Sequence, residues 1–209
     1  MFSAHRKAEP MKKKLVIGAV LLQMICCVGC SAVAENPVNS SLTIDKKGKI
    51  ESVIVEPFEE PYLQLEELQA MIDEEVAAYN QEAGNQAVVA DKAYLSEQNG
   101  TVIEKITFAD YTHYAKFNDR NFFVGTIEEA LQTGYQFKVA LESLGEEGKT
   151  ISPEQLEDLK EFNILIVDEP GDYHLYGTPG FASHDVSLIG KKSVNVSEEM
   201  EGIAYILFQ

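Results

Sequence analysis

Cysteine is scarce in this sequence and confined to one place. The three cysteines, Cys26, Cys27 and Cys30, fall together near the start. Residues 31–209 therefore carry no thiol. That excludes a disulfide framework, thiolate catalysis and a Cys-based zinc site from this part of the chain. Tryptophan is absent altogether, so a carbohydrate platform would have to draw on the nine Tyr and ten Phe. No Walker loop, G-x-G-x-x-G, H-E-x-x-H, H-x-x-x-H or G-x-S-x-G occurs, and with them go the usual sequence signatures of phosphate cradles, zinc peptidases and serine hydrolases.

Positive charge is also short. The sequence has 17 Lys+Arg against 34 Asp+Glu. Residues 1–29 hold five of the basic residues and one acidic one, so the remaining 180 residues carry 12 against 33, a formal charge of −21. A surface of that sign excludes nucleic acid, whose phosphates need a basic face, and electrostatic attachment to anionic lipid. It favours solubility and self-repulsion.

What is present begins with an export signal. Lys12, Lys13 and Lys14 precede an uncharged run, Leu15 to Val28, whose one polar residue is Gln23, and small residues Gly29, Ser31 and Ala32 surround Cys30. Basic, apolar, small is the order of a secretory signal. The 14-residue run would span about 21 Å as a helix, short of a hydrocarbon core of roughly 30 Å, so a cleaved signal fits better than a membrane-spanning helix. Two cleavage sites compete. Cys27-Val28-Gly29-Cys30 resembles the lipobox of bacterial lipoproteins, departing from it at Cys27, where leucine is usual. That resemblance implies a diacylglycerol on Cys30 and a cut just before it. Ala32-Val33-Ala34 is an A-x-A site for ordinary signal peptidase, which would release a chain starting at Glu35. The expected organisation is a signal peptide over 1–29, a flexible tether over 30–41 rich in small and polar residues, and one domain over 42–209. Two acyl chains hold a protein stably to a bilayer.

Within the domain, the alternation Ser41–Ile44, the turn Asp45-Lys46-Lys47-Gly48 and Ile50–Val55 predict a hairpin. Leu65, Leu68, Ile72, Val76 and Tyr79 recur at helical spacing and predict a helix over 64–80 with Met71 on its apolar side and Gly84 as its stop. Val88 to Leu95 reads as a strand, Asn99-Gly100 as a turn and Thr101–Ala109 as the return strand. The β-favouring Tyr111–Phe117 is expected to continue as strand. Thr126 with Glu129, and Ser152-Pro153 with Gln155, are capping boxes opening helices over 126–131 and to about Lys160. The last fifty residues are predicted β-rich, with strands over 163–167, 173–176, 186–189, 193–196 and 203–208 between Gly/Pro turns. The fold class expected is α+β: a largely antiparallel sheet with about three helices packed on one side and a β-rich C-terminal third. Thr178-Pro179-Gly180, Lys191-Lys192-Ser193-Val194 and Glu201-Gly202-Ile203-Ala204-Tyr205-Ile206, together with the lipobox, resemble small uncharacterised lipoproteins of anaerobic bacteria. The resemblance brings no activity and no catalytic residue with it.

Candidate chemistry is sparse. His113, in Asp110-Tyr111-Thr112-His113-Tyr114, could be a carboxylate-oriented general base, sharing a strand face with Tyr111. His174 and His184, flanked by Asp172 and Asp185, could form a metal site if they converge. Asp168, Glu169 and Asp172 around Gly171 could offer oxygen ligands to Ca²⁺, although the D-x-D-x-D-G loop is missing. Ser183-His184-Asp185 are sequence neighbours, which point apart on a strand. Asn118-Asp119-Arg120-Asn121 reads as a turn. The plainer reading of each is structural: a packed histidine or a solvated acidic turn. No residue is assigned to catalysis, cofactor or metal, and Cys30 alone is assigned, to lipid attachment. The function expected is that of a lipid-anchored extracytoplasmic binding or interaction module of the cell envelope, with a protein or small-molecule partner at the cell surface. The alternative is a small extracytoplasmic hydrolase or metal-dependent enzyme using His and Asp residues.

Overall fold

The expected hairpin forms as β1 (Ser41–Ile44) and β2 (Ile50–Pro57), paired antiparallel. Its turn is built by Asp45, whose Oδ1 accepts the amides of Lys47 at 2.7 Å and Lys49 at 2.9 Å, with Gly48 at φ +84°. Short polar side chains that bond their own backbone are what make such turns. The computed structural model describes residues 37–58, 64–96 and 100–209. The expected signal, both cleavage sites, most of the tether, and Pro61, Tyr62 and Asn99 lie outside the described residues.

Helix α1 (Leu65–Ala83) opens with a capping box between Gln64 and Glu67 and stops at Gly84 in the left-handed region. Ile72 is buried, and Val76 and Tyr79 pack on the core, whereas Met71, expected on the apolar side, is 61 % exposed. Asn80 ties the helix to the next strand: its Oδ1 accepts the Ala87 and Val88 amides, both at 2.9 Å, and its Nδ2 donates to the Val88 carbonyl at 2.7 Å. The predicted strand over 88–95 is two short ones, β3 (Val88–Ala90) and β4 (Tyr94–Leu95), both paired with β5 (Thr101–Phe108).

Tyr111–Phe117 is not strand. It is helix α2 (Tyr111–Asn118), capped by Asp110, whose side chain accepts the amides of Thr112 at 2.9 Å and His113 at 3.1 Å. The aromatics at 111, 114 and 117 fall three apart, which puts them on one helical face. Tyr114 is buried, and Tyr111 and Phe117 pack against the same core. A satisfied cap and a common apolar face outweigh the β preference of the individual rings. Strand β6 (Phe122–Thr126), which was not expected, then runs directly into α3 (Ile127–Gln132), capped by Thr126 and Glu129 as predicted. After β7 (Leu141–Ser143) and β8 (Thr150–Ile151), also not expected, α4 (Pro153–Glu157) opens at Ser152 as predicted but ends before Lys160.

The C-terminal third is β-rich: β9 (Asn163–Val167), β10 (Gly171–His174), β11 (Pro179–Ala182), β12 (Val186–Gly190), β13 (Ser193–Val196) and β14 (Ala204–Phe208). The α+β class stands, but the single sheet expected is two. Among the described residues an eight-stranded sheet A runs β12-β13-β10-β1-β2-β5-β3, with β4 also on β5, and a six-stranded sheet B runs β6-β9-β14-β11-β7-β8. Every pairing is antiparallel except β1 with β10, which sets Ser41 against Asp172 and Leu42 against Tyr173.

The sheets face each other across one apolar cluster. Leu42, Ile50, Phe108, Tyr173 and Val194 come from sheet A, and Val124, Leu165, Val167, Ile206 and Phe208 from sheet B. The intervening residues of sheet B, among them Ile164, Ile166, Tyr205 and Leu207, pack on the far side with Ile127, Ala130 and Leu156 of α3 and α4. Both faces of β9 and β14 are therefore covered, which explains why their sequences are unbroken apolar runs rather than alternating ones. Each such fully buried aliphatic side chain contributes about 1.5–3 kcal/mol.

Candidate functional site

The parallel seam between β1 and β10 opens on a cleft of about 370 Å³ whose lining includes Ser40, Ser52, Glu56, Tyr114, Arg120 and Glu169. Two turns that read separately in sequence meet here. The first follows α2: Asp119 closes the helix in the left-handed region (φ 52°) and Arg120 and Asn121 lead into β6. The second, Asp168-Glu169-Pro170, joins β9 to β10.

Glu169 is the centre of the contact. Its Oε1 accepts a short hydrogen bond from the Tyr114 hydroxyl, and its Oε2 lies 3.5 Å from Arg120 Nε. The Tyr173 hydroxyl donates to the Glu169 carbonyl at 2.8 Å. Burial pushes the Glu169 carboxyl above its ordinary range, the Tyr114 hydrogen bond and Arg120 charge pull against that, and the Asp168 charge adds to it. Burial, and next the Glu169 charge, push both the Tyr114 and Tyr173 hydroxyls upward, so each remains a neutral donor. Asp168 holds the neighbouring turn through Oδ2, which accepts the Asn121 amide at 3.0 Å, while its Oδ1 is buried without a hydrogen-bond partner. The Asn121 side chain accepts from Tyr135 at 2.6 Å, and Asp172 accepts from Asn195 at 2.7 Å. Asp168, Glu169 and Asp172 are thus engaged with the protein's own donors rather than gathered around one point.

Outside the cleft lining, Glu104 of β5 is half-buried beside β2, and burial followed by the Glu56 charge raises its carboxyl. The cleft wall itself carries the carboxylates of Glu56, Glu169 and Asp172 and the guanidinium of Arg120. Besides Arg6, Arg120 is the one arginine in the sequence. A single planar, permanently charged group in so acidic a chain is the signal that the sequence offers for this site, although its neighbours indicate no more than a turn.

The histidines do not converge. His113 lies on α2, not on a strand face with Tyr111. Its Nδ1 is 3.0 Å from the Tyr79 hydroxyl and its Nε2 is 4.0 Å from Asp110. His174, on β10, has Nδ1 2.8 Å from Ser193 Oγ. His184 is exposed, with Nδ1 3.3 Å from Glu142. Ser183, His184 and Asp185 engage three separate segments: Ser183 Oγ accepts the Tyr205 amide of β14 at 2.9 Å, His184 faces Glu142 of β7, and the Asp185 carbonyl accepts the Ser197 amide, just past β13, at 2.9 Å. Among the described residues no group of three His, Cys, Asp or Glu is placed to hold a metal ion, and no helix is long and apolar enough to cross a membrane. No family model, curated protein or solved structure matches this chain.

Proposed function

We propose that this chain is a membrane-anchored extracytoplasmic lipoprotein whose domain acts as a non-enzymatic binding module of the cell envelope, with the cleft between β1, β2 and β10 as its ligand site. The observation that carries the reading is the order of Lys12–Lys14, the apolar run to Val28 and Gly29-Cys30. The cleft supports the binding half: it is walled by Ser40, Ser52, Glu56, Asp172 and Arg120. Its lining has both signs of charge, so a small polar or zwitterionic solute matches its chemistry. Ser40 lies ten residues after Cys30. At no more than about 3.6 Å per residue, a lipid on Cys30 would keep the cleft within roughly 36 Å of the bilayer.

The test is the intact mass of protein extracted from membranes, with Cys30→Ala as control. The expected species begins at Cys30 and carries a diacylglycerol, and the variant leaves the membrane fraction. A lipid-free chain beginning at Glu35 overturns the anchor.

A further inference from the structure

Sheet A ends in strand β12, which among the described residues pairs with β13 alone. Two of the other three sheet ends are handled differently, and the third, β8, is only two residues long. α1 packs on β3, and α2 and α3 cover β6. Exposed edges are blunted with charges, prolines, bulges or short length; Val186-Ser187-Leu188-Ile189-Gly190 has neither charge nor proline, and only its end is bulged. Val186 is buried, while Leu188 is 45 % and Ile189 49 % exposed.

The backbone of this edge is presented in a definite phase. The Asp185 carbonyl bonds the Ser197 amide, and Val186 N–H turns away to the Ser183 carbonyl at 3.1 Å. Antiparallel ladders alternate, so Ser187 faces Asn195 of β13 and the N–H and C=O of Leu188 point to the open side. Leu188 also sits opposite Val194, which is fully buried. It continues the core-facing row of Val186 beyond the point where the protein covers it.

We infer that β12 is a self-complementary edge on which a second copy of this chain pairs antiparallel about a two-fold axis at Leu188. In that register the two Leu188 residues exchange both backbone hydrogen bonds and lie side by side on the core face, and Ser187 opposes Ile189. Just beyond the paired stretch, in the turns that flank β12, Asp185 of each copy comes near Lys191 of the other, bringing two opposite charges together at each end. This local complementarity acts against the general repulsion expected between acidic chains. The bulge between Leu188 and Gly190 bends the strand end and confines the pairing to a short stretch, so the dimer is concentration-dependent. A different acidic protein edge would gain from Lys191 but not from Asp185, and for that reason the second copy is the occupant the charges favour.

Sedimentation equilibrium on the full chain, with Cys26, Cys27 and Cys30 replaced by alanine so that neither lipid nor thiol contributes, tests this. A monomer–dimer equilibrium is expected. Leu188→Lys, which sets two ammonium groups against each other, weakens it about tenfold or more. Asp185→Lys weakens it too, and adding Lys191→Asp restores it. Unchanged melting temperatures at low concentration establish that the variants fold. A chain monomeric up to about 1 mM, or a dimer indifferent to Leu188→Lys, overturns the proposal. Loss with Leu188→Lys but not with Asp185→Lys overturns the two-fold register.

Discussion

The two sheets of this domain are built from the same residue types but live under different conditions. Sheet B is covered on both faces, by sheet A on one side and by α3 and α4 on the other, and its central strands are apolar at nearly every position. Sheet A shares one of these clusters and carries the polar features: the cleft beside β1 and β10, the acidic pair Glu56 and Glu104, and the open edge at β12. The difference teaches a division of labour. Sheet B gives apolar side chains to two clusters, whereas sheet A gives Ile50, Phe108 and Tyr173 to the shared core and leaves its cleft and open edge to polar chemistry.

That division can be broken most directly by paired truncations. Ile166→Ala in β9 removes a fully buried side chain and is expected to cost about 2–5 kcal/mol. Val89→Ala in β3, at a position 44 % exposed, is expected to stay within about 0.5 kcal/mol. Denaturant midpoints of the two variants measure the gap, and similar losses would mean that the outward position on β3 is packed as tightly as the middle of β9. A smaller effect tests the seam between them. Asp110→Ala removes the cap that turns Tyr111–Phe117 into a helix and is expected to cost about 1 kcal/mol, read as a drop in melting temperature. The smallest is a pH effect at Glu169. The folded state holds this proton more tightly than the unfolded one, so the group's contribution to stability falls as pH rises from about 4.3 through the raised folded value and stays low above it. Glu169→Gln has no such titration. The melting-temperature difference, variant minus wild type, should therefore move in the variant's favour between acidic and neutral pH, and a difference independent of pH would sink the assignment.

Much of the local structure was legible in the sequence because local chemistry decides it. Thr126 with Glu129 and Ser152 with Gln155 cap where expected, and Gly84 stops α1. The Tyr111–Phe117 segment was misread because ring preference for strands was weighed above spacing. The capping Asp110 and the three-residue recurrence of aromatics were both in the sequence and both indicate helix. Met71 was misplaced because the stripe containing Leu68, Ile72, Val76 and Tyr79 already completes the buried face. The second sheet was not legible. Its existence depends on which strands pair, and pairing between distant segments leaves no mark in either one alone. The same holds for the cleft. The turns at 118–121 and 168–170 each follow from their own residues, but Arg120 and Glu169 meet only because β6 and β9 lie side by side.

The parallel pairing of β1 with β10 has a kinetic consequence. β1 finds β2 across a short turn, but its other flank stays bare until residues 171–174 arrive. Closing so long a loop is slow. A chain made from its N-terminus thus carries an unfinished sheet A until nearly all of it has been synthesised.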